Sequence, residues 1–140
     1  MLRLVAPLLL VLSSAAPARS AASAGDAILG EWRGTSICVH QPPGSPCKDE
    51  TVRYTFTHVE GAAAPYHLVA DKLVGGERGT MGEMDFAYSE AERRWTCRFD
   101  APRCPRCTWW FRLDGAALVG GLTDAAGLEL REAKATRPAP

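Results

Sequence analysis

Cysteine is the residue type with the most specific chemistry in this 140-residue chain, and three of its five cysteines share one short stretch. Residues 97–110 read CRFDAPRCPRCTWW, which places Cys104 and Cys107 in a C-x-x-C. Such a pair is a redox centre when it lies at a helix N-terminus, which lowers the thiol pKa. A structural zinc ion needs four ligands, and this stretch offers three without a nearby histidine. We therefore favour a disulfide at a hairpin, with no metal and no cofactor.

The N-terminus has the pattern of an export signal. Arg3 supplies a positive start, residues 4–12 form an apolar run, and Ala22-Ser23-Ala24 is an A-x-A-like cleavage site. An apolar run of this length is too short to span a bilayer, which takes about 20 residues. Residues 1–24 are therefore predicted to be a signal peptide, and the protein is expected to be periplasmic or extracellular.

Export places the cysteines in an oxidising compartment, where they are usually paired, and five of them leave one over. Cys38 and Cys47 flank the proline-rich loop VHQPPGSP, which brings the two thiols close together. We predict a disulfide between them.

The second disulfide has two candidate pairings. Cys104–Cys107 is the local one, and it leaves Cys97 as a buried free thiol. Cys97–Cys107 follows instead if Trp95 and Trp109 face inward as opposed residues on neighbouring strands. The sequence leaves both pairings open.

Charge excludes some partners. The chain has 16 basic and 16 acidic side chains, and loss of Arg3 and Arg19 with the signal peptide leaves 14 basic ones. The sequence shows no basic stripe and no interleaving of basic and aromatic residues, so nucleic acid is not an expected partner. The rest of the chain has no second apolar run, so no integral membrane segment is expected after signal removal.

Apolar and polar residues alternate with a period of two along nearly all of the mature chain, and no 3.6-residue apolar stripe is evident. The Gly-rich stretch 75–82 is interpreted as a loop. The predicted strands cover residues 27–40, 51–59, 66–74, 82–88, 93–99, 108–113, 116–122 and 128–135.

Short connections between these eight strands favour an all-β, antiparallel up-and-down meander. Asp114-Gly115 is the strongest hairpin signal, since a two-residue turn needs positive φ. Closing the meander into a barrel removes the exposed edges, and a two-sheet sandwich is the competing architecture. The barrel domain is expected over residues 25–134, followed by a disordered tail at 135–140.

The first predicted strand carries Gly30-Glu31-Trp32, a G-x-W motif that resembles the opening of the lipocalin and calycin superfamily. The resemblance implies a lipocalin-like barrel in which Trp32 closes the floor. It also implies that an arginine on the last strand packs over this tryptophan. Arg131 and Arg137 are the candidates, and Arg131 is expected on the face opposite the two leucines of residues 128–130.

Two other families of small barrels bear some resemblance to the chain. LGEWRG is similar to the opening of nitrobindin-type haem barrels, but haem is not expected because no histidine follows His67. The size, the export signal and the small disulfide loop are similar to those of periplasmic inhibitors of secreted metalloproteases.

The predicted interior is rich in aromatic side chains. An eight-stranded barrel is just wide enough to be filled by side chains or to hold one small ligand, and so many rings imply that much of it is filled. Polar tips at Tyr54, His58 and Tyr88 could orient a ligand at an open end. The candidate ligand-lining residues are Tyr54, Phe56, His58, Met84, Phe86, Tyr88 and Trp95.

Adjacent strand residues point to opposite faces, so Trp109 and Trp110 cannot both face inward. Trp109 shares the parity of Phe111 and is expected in the core. Trp110 is expected outside, either against neighbouring aliphatic stems or as a partner contact.

No serine or cysteine nucleophile stands at a recognisable spacing from a histidine, so a non-enzymatic role is expected. The predicted function is binding of a small apolar or amphipathic molecule by an exported barrel. The alternative is a protein-binding module such as a hydrolase inhibitor.

Overall fold

The computed structural model describes residues 22–140, so nearly all of the predicted signal peptide lies outside the described residues. A 3-10 helix, η1, precedes eight β-strands. The elements are η1 (Ala24–Ile28), β1 (Gly30–Cys38), β2 (Glu50–His58), β3 (Tyr66–Val74), β4 (Glu77–Ser89), β5 (Arg94–Ala101), β6 (Cys104–Asp114), β7 (Ala117–Thr123) and β8 (Glu129–Thr136).

Each strand pairs antiparallel with the next one along the chain, and β8 pairs with β1 to close the sheet into a barrel. This confirms the predicted all-β, eight-stranded, up-and-down barrel and excludes the sandwich. Within residues 22–140, no helix is long and apolar enough to cross a membrane.

Several boundaries differ from the sequence prediction. Residues 27–28 belong to η1, and β1 begins only at Gly30. Most of the Gly-rich stretch 75–82 lies in β4, which begins at Glu77. The β6–β7 turn is formed by residues 115–116, since Asp114 pairs with Ala117. The last strand continues to Thr136, beyond the expected domain end.

Aromatic rings fill the middle of the barrel. The Phe111 ring lies 5.4 Å from that of Tyr54, 5.6 Å from that of Phe56 and 5.4 Å from that of Phe86. Edge-on and tilted contacts of this kind stabilise a core beyond the area they bury. Gly120 faces Phe111 across the β6–β7 pair, where a Cβ atom would clash with the ring.

Both disulfides expected from the local sequence are present, Cys38–Cys47 and Cys104–Cys107. Cys97 is free. The rival pairing of Cys97 with Cys107 required Trp95 opposite Trp109. In the observed register Trp95 opposes Phe111, so Cys97 lies opposite Trp109.

One end of the barrel, here called the closed end, is sealed by η1 and two tryptophans. The indole Nε1 of Trp32 donates a hydrogen bond to the Ile28 carbonyl (2.8 Å), and that of Trp95 donates to the Gly25 carbonyl (3.0 Å). Ile28, Trp32 and Trp95 are all buried. The tryptophan of the G-x-W motif therefore closes the floor.

Arg137, the residue after β8, is the arginine that packs over Trp32. Its guanidinium carbon lies 3.8 Å from the ring centroid, and its nitrogens donate to the carbonyls of Ala27 (3.0 Å) and Glu31 (3.3 Å). Gly30 permits this arrangement because its φ of +100° suits glycine and a Cβ there would lie 2.9 Å from Arg137 Nη1.

Candidate functional site

The opposite end of the barrel is organised around one row of register-paired residues, here called the mouth. Cys38 pairs with Arg131, Arg131 with Leu122, Leu122 with Trp109, and Trp109 with Cys97. The neighbouring row, two residues nearer the floor, runs from Ser36 through buried Ala133 and Gly120 to Phe111 and Trp95. Since side chains two apart on a strand share a face, the mouth residues also face the interior.

Beneath the mouth lies a cavity of about 460 Å³. Ring and aliphatic side chains form most of its wall, and small residues such as Ser36, Ala70 and Gly82 leave the space open. The lining residues are Ser36, Tyr54, Leu68, Ala70, Met81, Gly82, Glu83, Met84, Phe99, Trp109, Phe111 and Arg131. Small-molecule sites in proteins are typically mostly apolar with a few polar groups, at volumes of about 300–1,000 Å³.

A second cavity, of about 800 Å³, lies between the two disulfide loops. Its walls come from the β1–β2 loop with Cys47, from the β5–β6 hairpin with Cys104 and Cys107, and from the β7–β8 connection. Arg131 lines both cavities. The disulfides thus fix the walls of an apolar space beside the mouth.

Arg131 makes the densest set of polar contacts in the mouth. Its Nε donates to Ser36 Oγ (2.9 Å), and its Nη2 donates to the carbonyls of Lys48 (2.9 Å) and Ser36 (3.1 Å). Its Nη1 faces the disulfide, 2.9 Å from Cys47 Sγ and 3.6 Å from Cys38 Sγ. Every one of these acceptors is uncharged.

Tyr54 adds a neutral hydroxyl to the cavity. Burial raises its pKa to about 12, against smaller lowering effects of a hydrogen bond with Ser36 and of the Arg131 charge. The phenol therefore stays protonated at neutral pH and keeps a hydroxyl that donates a hydrogen bond.

The barrel wall is incomplete on one side. β4 and β5 pair only through Ala87–Thr96, Tyr88–Trp95 and Ser89–Arg94. Among the described residues, 77–86 of β4 and 97–101 of β5 therefore form no register pair across this line, here called the β4–β5 seam. The 460 Å³ cavity is lined by residues 81–84 on one side of the seam and by Phe99 on the other. The seam therefore forms one side of this cavity.

The structure distributes the predicted ligand-lining residues over the whole barrel. Tyr54 and Met84 line the cavity. Phe56 and Phe86 are fully buried in the aromatic layer. Tyr88 and Trp95 pack on each other at the closed end, with ring centroids 4.6 Å apart.

His58 is not brought to the cavity. It is exposed at the last position of β2, and its Nδ1 lies 3.2 Å from a carboxylate oxygen of Glu60. His58 shares the face of Tyr66, its pair on β3, and their ring centroids lie 5.6 Å apart. It therefore keeps the inward parity predicted for β2, but it lies beyond the cavity at the end of the strand.

The tryptophan pair has the predicted alternation. Trp109 is half-buried, lines the cavity and stacks on Phe111 at 6.1 Å. Trp110 is half-buried on the outer wall, where the Arg94 guanidinium carbon lies 4.4 Å from its ring centroid. The covering side chain is thus Arg94.

Arg131 lies on the face opposite the two leucines, as expected, but this is the face that points into the barrel. Leu128 is exposed at 45%, whereas Ala133 and Ala135 are buried. Arg131 shares the parity of the two alanines. Their spacing of two from Arg131 is the signal in the sequence, but the leucines outweighed it because they are more apolar.

Cys97 and His67 also have shifted pKa values. Burial raises the pKa of the Cys97 thiol, so this cysteine is a poor nucleophile at neutral pH. A hydrogen bond to Asp85 raises the pKa of His67 on the outer wall, against the opposing effect of desolvation. Within the described part of the chain, no group of three or more His, Cys, Asp or Glu side chains could hold a metal ion.

Comparison with known proteins adds no relative. No family model matches the chain, and no curated protein or solved structure matches it significantly.

Proposed function

We propose that this protein is an exported, lipocalin-like barrel that binds a small apolar or amphipathic molecule and catalyses no reaction. The cavity of about 460 Å³ at the mouth carries this proposal, because it combines an apolar wall with the polar atoms of Ser36, Tyr54 and Arg131. That combination is the usual composition of a small-molecule site.

Three observations support the other parts of the proposal. Two disulfides in a chain of this size are typical of an oxidising compartment, which fits export. The packing of Arg137 over Trp32 is the contact that the lipocalin resemblance implies. Ser36 Oγ accepts a hydrogen bond from Arg131, an arrangement that does not activate it as a nucleophile.

The test is a variant in which a larger side chain fills the cavity. Gly82 lines the cavity, and a Cβ atom added there meets no atom within 4 Å, so Gly82→Leu fills ligand space with little strain. Gly79→Leu is the matched control, because it lies on the same strand, outside the cavity lining, and its nearest contact is Lys72 at 3.9 Å.

Binding is measured with 1-anilinonaphthalene-8-sulfonate and with the neutral probe N-phenyl-1-naphthylamine. We expect saturable binding of at least one probe to the wild type and to Gly79→Leu, and a loss of ten-fold or more in Gly82→Leu. Equal binding by all three proteins, or by none, contradicts the proposal. Native mass spectrometry of protein from its own host then shows whether a small molecule is retained. A hydrolase that co-purifies instead supports the alternative function as an inhibitor.

A further inference from the structure

We propose that the ligand is a single-chain amphipath with a carboxylate head group, and that Arg131 binds this carboxylate. The inference rests on the proposed binding function and narrows its ligand class. It is carried by the position of one cation inside an otherwise apolar mouth.

The first step is the placement of the charge. Arg131 lies on β8 between Cys38 of β1 and Leu122 of β7, and it faces the interior with both neighbours. Bringing a guanidinium into a partly buried apolar setting is unfavourable unless the charge is compensated. A carboxylate bound at this position would compensate the charge.

The second step is that the described protein supplies no such anion. Arg33 and Arg53 each pair with Glu31, and Arg78 pairs with Asp71. By contrast, no carboxylate of residues 22–140 lies within 4.0 Å of the Arg131 guanidinium. Its hydrogen bonds to a hydroxyl, to carbonyls and to sulfur orient the group without neutralising it.

The third step concerns which nitrogen is open to a ligand. Sulfur is a weak hydrogen-bond acceptor, so Nη1, which faces Cys38 and Cys47, is the least satisfied part of the guanidinium. Charge-assisted hydrogen bonds are about twice as strong as neutral ones. A carboxylate oxygen can therefore replace the sulfur contacts at Nη1, while the contacts of Nε and Nη2 keep the side chain in place.

The fourth step is room for the chain of the amphipath. Arg131 lines both the cavity of about 460 Å³ and the second cavity of about 800 Å³. The cavity side offers Leu68, Met84 and Trp109 to an alkyl chain. The head group then lies at the mouth and the chain in the barrel, beside the β4–β5 seam.

The test compares two probes with the same fluorophore and alkyl chain, 11-(dansylamino)undecanoic acid, which has an ionised head group, and its neutral methyl ester. Charged hydrogen bonds contribute roughly 1.5–3 kcal/mol, which corresponds to about ten-fold or more in affinity. We expect the wild type to bind the acid at least ten-fold more tightly than the ester. Arg131→Gln should lose this preference and keep its affinity for the ester, whereas Arg131→Lys should keep part of it.

Arg103→Gln is the matched control, since Arg103 lines the second cavity but is exposed. It should keep the full preference for the acid, which separates a specific contact from a general effect of surface charge. Circular dichroism and a free-thiol count verify that each variant is folded with Cys38–Cys47 intact. If Arg131→Gln does not fold, the probe pair on the wild type and on Arg131→Lys still decides the question.

Equal affinity of the wild type for acid and ester overturns this inference while leaving the proposed function standing. A preference that survives in folded Arg131→Gln, or that disappears in Arg103→Gln, also overturns it. If neither probe binds, and 1-anilinonaphthalene-8-sulfonate and N-phenyl-1-naphthylamine do not bind either, the proposed function fails as well.

Discussion

The two ends of the barrel each hold one arginine from the C-terminal part of the chain, and they use it differently. At the closed end, Arg137 stacks on Trp32 and donates to the carbonyls of Ala27 and Glu31. At the mouth, Arg131 lies between two cavities and contacts only neutral acceptors.

The difference follows from what surrounds each guanidinium. The Trp32 ring offers its negative face to Arg137, an attraction that strengthens when the pair is partly desolvated. The disulfide sulfur atoms and the Ser36 hydroxyl stabilise the charge of Arg131 much less than an aromatic ring does. Arg137 is therefore part of the stabilising structure of the closed end, whereas Arg131 has only neutral partners and is the group we propose to bind an anion.

The largest effect is expected from removing the closed-end ring. Trp32→Ala deletes a ring that is only 3% exposed, and with it the stacking contact between Trp32 and Arg137. We expect the free energy of unfolding to fall by about 3–5 kcal/mol. Urea denaturation measures it.

Trp109→Ala is the corresponding change at the mouth, where the ring is half-buried beside a cavity. It should cost clearly less stability than Trp32→Ala, since part of the space is already open. Equal losses in the two variants mean that the mouth is as tightly packed as the floor, and the contrast between the two ends then fails.

The next effect comes from the disulfides, both of which lie at the mouth. Removing Cys38–Cys47 with paired serine substitutions should lower stability by about 2–3 kcal/mol, because that bridge closes a longer loop than Cys104–Cys107 does. It should also weaken binding of the dansyl acid, since Cys47 and Lys48 hold Arg131 in place.

Removing Cys104–Cys107 in the same way is the control. Because this bridge closes a shorter loop, we expect a loss of stability of about 2 kcal/mol or less. Both variants are assayed by urea denaturation and by probe titration. A larger loss of acid binding on removal of Cys104–Cys107 indicates that the head group lies on the hairpin and away from Arg131.

Much of the fold could be predicted from local pattern. Alternation at a period of two, as in TVRYTFTHV, reports one buried face, and local loops such as VHQPPGSP place two cysteines within reach. The prediction failed where the interior ends. His58 continues the alternation of β2 and packs on Tyr66, yet it is exposed and lies outside the cavity because the strand ends there.

The mouth was harder to predict because it depends on several strands at once. The row from Cys38 through Arg131 to Trp109 is set by the registers of four strands, including an irregularity at Leu122/Thr123. A single-strand pattern contains none of this information. Gly30 shows the same limit, since the atom that leaves no room for a Cβ there belongs to Arg137, more than 100 residues away in the sequence.

A smaller effect is expected on the outer wall between the two ends. Trp110→Ala removes a half-buried ring and its contact with Arg94, at a cost of about 1–2 kcal/mol. Binding of the dansyl acid should be unchanged, because Trp110 does not line either cavity. A strong loss of acid binding in a folded Trp110→Ala protein moves the site to the outer surface and supports a protein-facing function.

The smallest effect concerns His67 on the outer wall, close to the β4–β5 seam. Its Nδ1 lies 2.7 Å from Asp85 and its Nε2 lies 3.5 Å from Glu83, and the hydrogen bond to Asp85 is the largest cause of its raised pKa. Because the pKa is raised in the folded state, the pair stabilises the protein fully below the unfolded value of 6.5, and this contribution is lost as the pH rises through the folded pKa. Both carboxylates are largely exposed, so we expect less than about 1 kcal/mol. Urea denaturation of the wild type and of Asp85→Asn at pH 5.5 and 8.5 measures the difference. The wild type should gain stability at pH 5.5 relative to Asp85→Asn, and parallel pH dependences in the two proteins contradict the assignment.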